Sequence, residues 1–199
     1  MFKVGITGGI GSGKSVICNI FRNLDIPVYQ ADIEARRMMG EDETIRGELL
    51  AFFGTEAFQN NQLNRKFLSE RIFSDPEARF FVNSLVHPAV RSDFAGWVEK
   101  QASAPYIIEE AALLFETGAW KELDYNILIV SAVETRIGRI MERDEMTRAE
   151  VLARMDSQMD PEKAVALADF VISNDEEEFV IPQVLKVDKI IRDLALEKS

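Results

Sequence analysis

Residues 8–15 have the residue types and the spacing of a phosphate-binding loop, G-x-x-x-x-G-K-S. Glycines in such a loop let backbone N–H groups approach phosphate oxygens, and the N-terminus of the following helix adds partial positive charge. The Lys14 ammonium can reach the β- and γ-phosphates of a nucleoside triphosphate, and the Ser15 hydroxyl can ligate Mg²⁺. We therefore expect nucleotide contacts from the loop and the residue after it, namely Gly9, Ile10, Gly11, Ser12, Gly13, Lys14, Ser15 and Val16.

The segments on either side of the loop are the elements that it needs. An apolar run over Phe2–Ile6 predicts a short buried strand, and apolar residues recur at helical spacing after the loop, at Val16, Ile17, Ile20, Phe21 and Leu24. A glycine-rich turn without a ligand is the structural alternative. The complete motif between a strand and a helix favours phosphate binding instead.

Asp32 is a candidate for activating the group that receives a phosphoryl group. It follows the second predicted strand, which begins at Ile26, and its carboxylate could orient an acceptor hydroxyl and accept the proton. The alternative is structural, because aspartate is favoured as a helix N-cap and a helical segment over Ile33–Met39 follows. The residues alone leave both interpretations open.

Arginines, with no lysine among them, are spread between positions 136 and 154. The planar, permanently charged guanidinium group suits phosphate oxygens. Arg139 and Arg143 are spaced i, i+4, and we expect both to contact nucleotide phosphate from a helical lid over about residues 139–160. Interleaved acidic residues leave ordinary surface ion pairs as the alternative.

Two further residues are candidates with structural alternatives. Glu110 ends the third predicted strand, where its carboxylate could hold Mg²⁺ through water or could be a solvated strand end. His87 is the only histidine and precedes Pro88 in an otherwise helical pattern, so we expect a break or kink there. A lone histidine is more often structural than catalytic.

Composition restricts the classes of partner. The formal net charge of -11 argues against nucleic acid as the main partner, because the affinity for nucleic acid depends on neutralising phosphates.

No apolar stretch is long enough to span a bilayer and the N-terminus lacks the layout of a signal peptide, so we expect a cytoplasmic protein with no membrane partner. The single cysteine, Cys18, permits no disulfide within the chain and is best explained as a small buried residue. A monomer is favoured.

Two functional classes use such a loop: a kinase with a second substrate, and a nucleotide-dependent switch or ATPase. A GTP switch of the common type needs an Asn-Lys-x-Asp motif to read guanine, and the sequence has none. The D-x-x-G element of such a switch is matched only at Asp93–Gly96, inside a helical pattern. A carboxylate on the acceptor side and clustered arginines favour the kinase.

The order of elements predicts an α/β fold of the P-loop NTPase type, with a doubly wound parallel sheet. Residues 44–101 have a helical pattern and no convincing strand. We expect a single domain over residues 1–199, with a core of about 1–42 and 104–199 and an inserted helical substrate lobe of about 43–103. Capping-box spacing predicts three helix starts, at Ser74 with Glu77, at Ser131 with Glu134 and at Thr147 with Glu150.

The sequence also resembles the dephospho-coenzyme A kinase family over nearly its whole length. The first block is Val4–Ser15, whose form is closer to this family than to phosphate loops in general. The later blocks agree in order and spacing: Ile26-Pro27-Val28, Ala31-Asp32, Ala35-Arg36, Leu63-Asn64-Arg65, Ile72-Phe73, His87-Pro88, Leu113-Leu114-Phe115-Glu116, Arg143-Asp144 and Asn174.

The resemblance implies transfer of the ATP γ-phosphate to the 3′-hydroxyl of the dephospho-coenzyme A ribose, the last step of coenzyme A synthesis, with Mg²⁺ accompanying ATP. It supports Asp32 as the residue that activates the acceptor, and it adds Asn174 to the nucleotide site. The acceptor pocket is then lined by Arg65, His87 and Glu116. Another small-molecule or nucleoside monophosphate kinase is the alternative among enzymes.

The sequence departs from the family pattern in two places. The family often has Asp-Ala-Asp where this chain has Gln30-Ala31-Asp32, a change that leaves Asp32 intact. The family often has Asp-Ile-Pro where this chain has Glu110-Ala111-Ala112, which retains a carboxylate at the candidate metal position.

Overall fold

The computed structural model describes residues 1–175 and 177–197. Its helices and strands, in chain order, are β1 (Phe2–Gly8), α1 (Lys14–Asn23), β2 (Val28–Gln30), α2 (Ala31–Glu41), α3 (Glu43–Phe53), β3 (Phe58–Gln59), β4 (Gln62–Leu63), α4 (Arg65–Ser74), α5 (Pro76–Glu99), β5 (Tyr106–Glu110), β6 (Tyr125–Val130), α6 (Val133–Asp144), α7 (Arg148–Asp156), α8 (Pro161–Leu167), β7 (Phe170–Ser173) and α9 (Val180–Glu197). The chain folds into two compact units. One is Met1–Gln30 with the residues from Gln101 onward, and the other is Ala31–Lys100.

In the described part of the chain, five parallel strands form the sheet of the first unit, in the order β2-β5-β1-β6-β7. The central strand β1 pairs Val4 with Ile108 of β5 and Ile6 with Ile127 of β6. Nearly continuous apolar runs in these strands are typical of a parallel sheet that is covered on both faces. Because parallel strands end at one edge, the phosphate loop after β1 opens at the same edge as the ends of β5 and β6.

Both faces of this sheet are covered. On one face, Phe21 of α1 and Val184 of α9 belong to the same buried cluster as Ile6 and Ile127. A separate buried cluster joins Leu128 of β6 with Phe115 and with Ala164 of α8. The predicted doubly wound α/β fold is therefore confirmed. Among the described residues, no helix is both long enough and apolar enough to cross a membrane.

The second unit contains α2 to α5, and α5 packs against α2 and α4. Buried residues of α5 recur at every fourth position, at Ala78, Val82, Val86, Val90 and Phe94. The break expected at His87-Pro88 is absent, because α5 continues through Pro88. Proline removes one backbone donor, and burial of the apolar stripe on both sides of it stabilises the helix against that loss.

A short hairpin in the second unit corrects the expectation that residues 44–101 contain no strand. Strands β3 and β4 are antiparallel and pair Phe58 with Leu63. Between them, Asn60 and Asn61 have φ angles of 51° and 63°. Two consecutive residues with positive φ form the turn that best matches the twist of a two-residue hairpin, and asparagine tolerates that conformation.

One of the three predicted capping boxes, at Thr147, is confirmed and the other two are wrong. Helix α5 starts where expected, but its N-cap is Asp75 and not Ser74. Thr147 accepts from the Glu150 N–H while the Glu150 side chain accepts from the Thr147 N–H, as a capping box requires. Helix α6 instead has Ala132 as its N-cap, without a side-chain cap of its own. The Ala132 N–H donates to the Asp175 carboxylate at 2.6 Å, so a residue distant in sequence accepts from the N-cap N–H, the role expected for Glu134.

Candidate active site

The phosphate loop closes on itself between β1 and α1. Gly13 is the N-cap of α1 and has a φ of 90°, a left-handed conformation that glycine adopts without strain. The Ser12 N–H donates to the Gly9 carbonyl at 3.1 Å. The Lys14 ammonium donates to the Gly8 carbonyl at 2.7 Å, so its charge lies over the first residue of the loop.

Asn174 lies against this loop from the end of β7. Its Nδ2 donates to the Ser12 carbonyl at 2.7 Å, and its N–H donates to the Val130 carbonyl at 2.8 Å. A Cβ on Gly13 would collide with the same Nδ2 atom, so this close approach requires glycine. The geometry therefore brings Asn174, which the sequence suggested only through the family resemblance, into the loop.

Arg139 of α6 connects the loop with Asn174. Its Nη2 donates to the Asn174 carbonyl at 3.0 Å. Its Nη1 lies 3.3 Å from Ser131 Oγ and 3.5 Å from the Gly11 carbonyl oxygen. One guanidinium group thus reaches both the turn of the loop and the residue after β7.

Arg143, one turn further along α6, has different contacts. Its Nε and Nη2 donate to the Asp144 carboxylate at 2.8 and 2.7 Å, and its side chain is 65% exposed. This hydrogen-bonded pair lowers the pKa of Asp144. Among the described residues, the structure therefore brings Arg139 but not Arg143 to the loop, and a phosphate contact by Arg143 stays a prediction.

Sequence reasoning missed two side chains that hold the loop at Ile10. The Arg136 Nε donates to the Ile10 carbonyl at 2.9 Å. The Gln158 Oε1 accepts from the Ile10 N–H at 2.9 Å. The arginine-rich pattern around α6 was a signal for Arg136, whereas no local pattern identifies Gln158.

Ser15 and Glu110 are the residues that could hold a metal ion. Ser15 lies in the first turn of α1, and Glu110 is buried at the end of β5, only 7% exposed. The Gln30 amide donates to Glu110 Oε2 at 3.3 Å, so the two positions that depart from the family pattern are in contact.

The chemistry of this pair fits Mg²⁺ bound together with a nucleotide. The described residues include no group of three or more His, Cys, Asp or Glu side chains that could hold a metal ion alone. Beside a nucleotide, Mg²⁺ usually takes only one or two protein oxygens, and phosphates and waters complete its coordination. A hydroxyl and a carboxylate are suitable ligands for that kind of site.

A cavity of about 610 Å³ lies beside the loop in the first unit. Gly9, Arg136 and Glu116 line it, together with apolar side chains such as Phe115. The Glu116 Oε1 accepts from the Met159 N–H at 3.0 Å, which fixes the carboxylate at the cavity wall. The expected acceptor contact of Glu116 stays a prediction.

The remaining predicted residues belong to the second unit and are described within it. Asp32 lies in the first turn of α2, which begins at Ala31, so it is not the N-cap of a helix that starts at Ile33. Arg65 is the first residue of α4 and is exposed. His87 is half-buried in α5, and burial together with the nearby charge of Arg91 lowers its pKa.

A complete phosphate loop at the carboxyl edge of a parallel sheet, with an arginine and an asparagine held against it, defines a nucleotide-binding protein of the P-loop class. Comparison with known proteins narrows the class. The chain belongs to the dephospho-CoA kinase family, whose sequence model matches residues 2–179. The dephospho-CoA kinase of Bacteroides fragilis is 36% identical over 185 residues, which cover 93% of this chain and 90% of that protein.

Solved structures agree with this assignment. A protein from Thermus thermophilus is 34% identical with a TM-score of 0.85, and the match covers 95% of this chain and 96% of that one. The dephospho-CoA kinase from Campylobacter jejuni is 26% identical with a TM-score of 0.71, covering 96% and 97% of the two chains. The resemblance read from the sequence is confirmed.

Proposed function

We propose that this chain transfers the γ-phosphoryl group of ATP to the 3′-hydroxyl of the ribose of dephospho-coenzyme A, the last step of coenzyme A synthesis. The observation that carries the proposal is the convergence of Lys14, Arg139 and Asn174 on one phosphate loop in a member of this family. Each of these side chains hydrogen-bonds to a loop carbonyl or lies next to one, where a bound triphosphate would meet them.

The proposed reaction forms a bond between the ribose 3′-oxygen and the γ-phosphorus. It breaks the bond between the γ-phosphorus and the bridging oxygen that leaves with ADP. Asp32 orients the 3′-hydroxyl and accepts its proton. Lys14 and Arg139 stabilise the charge on the transferring group, and Arg143 joins them from the lid at about residues 139–160.

Recognition of the acceptor is assigned to Arg65, His87 and Glu116, with the helical lobe of about residues 43–103 enclosing it. Ser15 Oγ and, through water, Glu110 would hold the Mg²⁺ that accompanies ATP. Bound Mg²⁺ would supply positive charge that neutralises the phosphates. The loop residues Gly9 to Val16 and Asn174 bind the nucleotide.

The proposed enzyme is monomeric and cytoplasmic. Its single cysteine, which is buried, suits a reducing compartment. The net charge of -11 supports an enzyme that meets its anionic substrates at a few local cations and has no nucleic acid partner. Light scattering on the purified protein tests the monomer.

The experiment that tests the function is an ADP-release assay with ATP, Mg²⁺ and a panel of acceptors. We expect turnover with dephospho-coenzyme A, with coenzyme A as the phosphorylated product. Nucleoside monophosphates and shikimate serve as matched acceptors that other P-loop kinases use. Turnover with one of these and none with dephospho-coenzyme A would reassign the acceptor. ADP release at the same rate with no acceptor would instead indicate an ATPase.

A further inference from the structure

Both backbone groups of Ile10 are held by side chains from other elements. The Ile10 N–H donates to Gln158 Oε1 at 2.9 Å, and the Ile10 carbonyl accepts from Arg136 Nε at 2.9 Å. The Arg136 Nη2 donates to the same Gln158 oxygen at 3.2 Å. These three hydrogen bonds form a closed ring around one residue in the middle of the phosphate loop.

Close packing accompanies this ring. A Cβ on Gly9 would collide with the Arg136 guanidinium, so the arginine lies directly over the loop backbone. The Ile10 side chain packs against the buried cluster of Ile137, Ile140 and Val151, which joins α6 to α7. The loop is therefore attached to the α6–α7 pair through its backbone and through an apolar side chain.

Gln158 is itself held in place. It lies between the end of α7 at Asp156 and the start of α8 at Pro161. The N–H of the next residue, Met159, donates to Glu116 Oε1 at 3.0 Å. A side chain anchored at this point can keep the loop in one conformation instead of following it.

Among the described residues, no carboxylate forms an ion pair with Arg136, whose acceptors are the Ile10 carbonyl and the Gln158 amide oxygen. Its side chain is half-buried beside the cavity at the loop. What the arginine contributes to the ring is geometry, because Nε and Nη2 donate in two fixed directions from one plane.

We propose that Arg136 and Gln158 are positioning residues for phosphoryl transfer, which act through Ile10 by fixing the phosphate loop before ATP binds. This inference rests on the proposed kinase function. A loop that is already ordered loses less conformational entropy when it binds phosphate. It also keeps the γ-phosphorus in line with the acceptor oxygen. The two side chains act as a unit, because each hydrogen-bonds to Ile10 and they hydrogen-bond to each other.

The test compares conservative and non-conservative variants at both positions, with kcat and KM for ATP as the readout. Arg136→Lys keeps the charge but lacks the fixed planar pair of donors, so we expect it to lower kcat/KM for ATP about 10-fold or more, and we expect the same loss in Arg136→Ala. Gln158→Ala should cause a similar loss. Gln158→Glu keeps the shared acceptor oxygen, and we expect it to retain activity within about fivefold of the wild type.

Two controls separate positioning from folding. The double variant Arg136→Lys with Gln158→Ala should lose no more than the worse single variant, because the pair works as a unit. Lys189→Arg, which replaces an exposed cation of α9 that pairs with Asp193 at 2.7 Å and lies outside the proposed site, should leave kinetics unchanged. The thermal midpoint and KM for the acceptor should move little in the Arg136 and Gln158 variants.

Specific outcomes would overturn the proposal. Wild-type kinetics in Gln158→Ala would show that the ring has no functional role. Full rescue by Arg136→Lys, with loss in Arg136→Ala, would show that only the charge matters. Calorimetric titration with ATP separates this inference from the proposed function. If dephospho-coenzyme A is not phosphorylated by the wild type, weaker ATP binding in the variants still supports positioning, and unchanged binding refutes it.

Discussion

Asp32 shows how one residue position decides between two roles. As the second residue of α2 it lies in the first turn, where a carboxylate is favoured by the helix dipole but does not replace the N-cap. The N-cap explanation for Asp32 is therefore weaker than the sequence suggested. A substitution that removes the charge of Asp32 and keeps its size distinguishes the catalytic role from a structural one.

We expect Asp32→Asn to lower kcat about 100-fold or more, the usual range for loss of a general base. ATP affinity should change little, because the phosphate loop is untouched. Asp42→Asn is the matched control: Asp42 is an N-cap of the same unit that accepts from the Ile45 N–H at 2.9 Å, and asparagine caps about as well. Steady-state kinetics gives kcat, and ATP titration gives the affinity for ATP, for each of the two variants. Normal turnover by Asp32→Asn would eliminate the catalytic role.

The contacts of Arg139 and Arg143 lead to unequal expectations for the two residues. Arg139→Ala removes a guanidinium that reaches Gly11 and Asn174, so kcat should fall by about 10-fold or more with a smaller change in ATP affinity. Arg143→Ala removes an exposed ion pair with Asp144, so we expect it to lower kcat less than Arg139→Ala does. Only a movement of the lid that brings Arg143 to phosphate would make the two losses equal. Equal losses would show that the lid engages both arginines, and no loss in either would place both outside the reaction.

At the scale of elements, features encoded by near neighbours in sequence were predictable. The phosphate loop is contiguous, and the Thr147–Glu150 capping box needs only four residues, so both follow from local chemistry. The ring at Ile10 was not predictable, because its partners lie 126 and 148 residues away. No periodicity within a helix encodes such a distance.

The predictions that were wrong also depend on contacts or signals outside the local pattern that was used. Ser131 and Glu134 have the residue types and spacing of a capping box, but Ala132 is the N-cap and its N–H donates to Asp175, which the tertiary fold brings to α6 from beyond β7. The short hairpin had a local signal in Asn60-Asn61, which a strand search based on apolar alternation does not detect. A break or kink was expected at Pro88, but α5 continues through it because tertiary packing buries its apolar stripe.

His87 makes the free energy of unfolding depend on pH in a predictable direction. Burial, with Arg91 nearby, lowers its pKa below the ordinary value of 6.5. As pH falls through that ordinary value, the unfolded chain binds the proton first, so the free energy of unfolding declines until the folded-state pKa is passed. His87→Gln lacks this dependence and should lose less stability between about pH 7.5 and pH 5.5. Urea denaturation of both proteins checks this, and parallel pH profiles would contradict it.

At the scale of the whole molecule, the division after Gln30 and before Gln101 separates the phosphate loop from Asp32, Arg65 and His87. Two of the three residues proposed to bind the acceptor, Arg65 and His87, thus belong to the unit without the phosphate loop, whereas Glu116 belongs to the unit that carries it. The net charge of -11 adds a requirement, since both substrates are anions and local cations must attract them.

We expect dephospho-coenzyme A to protect backbone amides of residues 43–103 from hydrogen exchange, because enclosing the acceptor excludes water from the γ-phosphate. ATP alone should protect the loop at residues 8–15 instead. Mass-spectrometric exchange with each ligand separately gives both patterns. Protection by the acceptor that is confined to the loop would remove the lobe from acceptor binding.

Chemical modification of Cys18 can be used to measure local opening of α1. The thiol is fully buried in α1, directly after the phosphate loop, and burial together with the negative charge of Glu110 raises its pKa to about 12. A thiol reagent can therefore modify the protein only when α1 separates from the sheet, and no other cysteine contributes to the signal. Since α1 begins at Lys14 of the phosphate loop, we expect bound ATP to stabilise this helix and to slow the modification. We expect the same burial to protect the Cys18 thiol from oxidation by air for as long as the core stays closed.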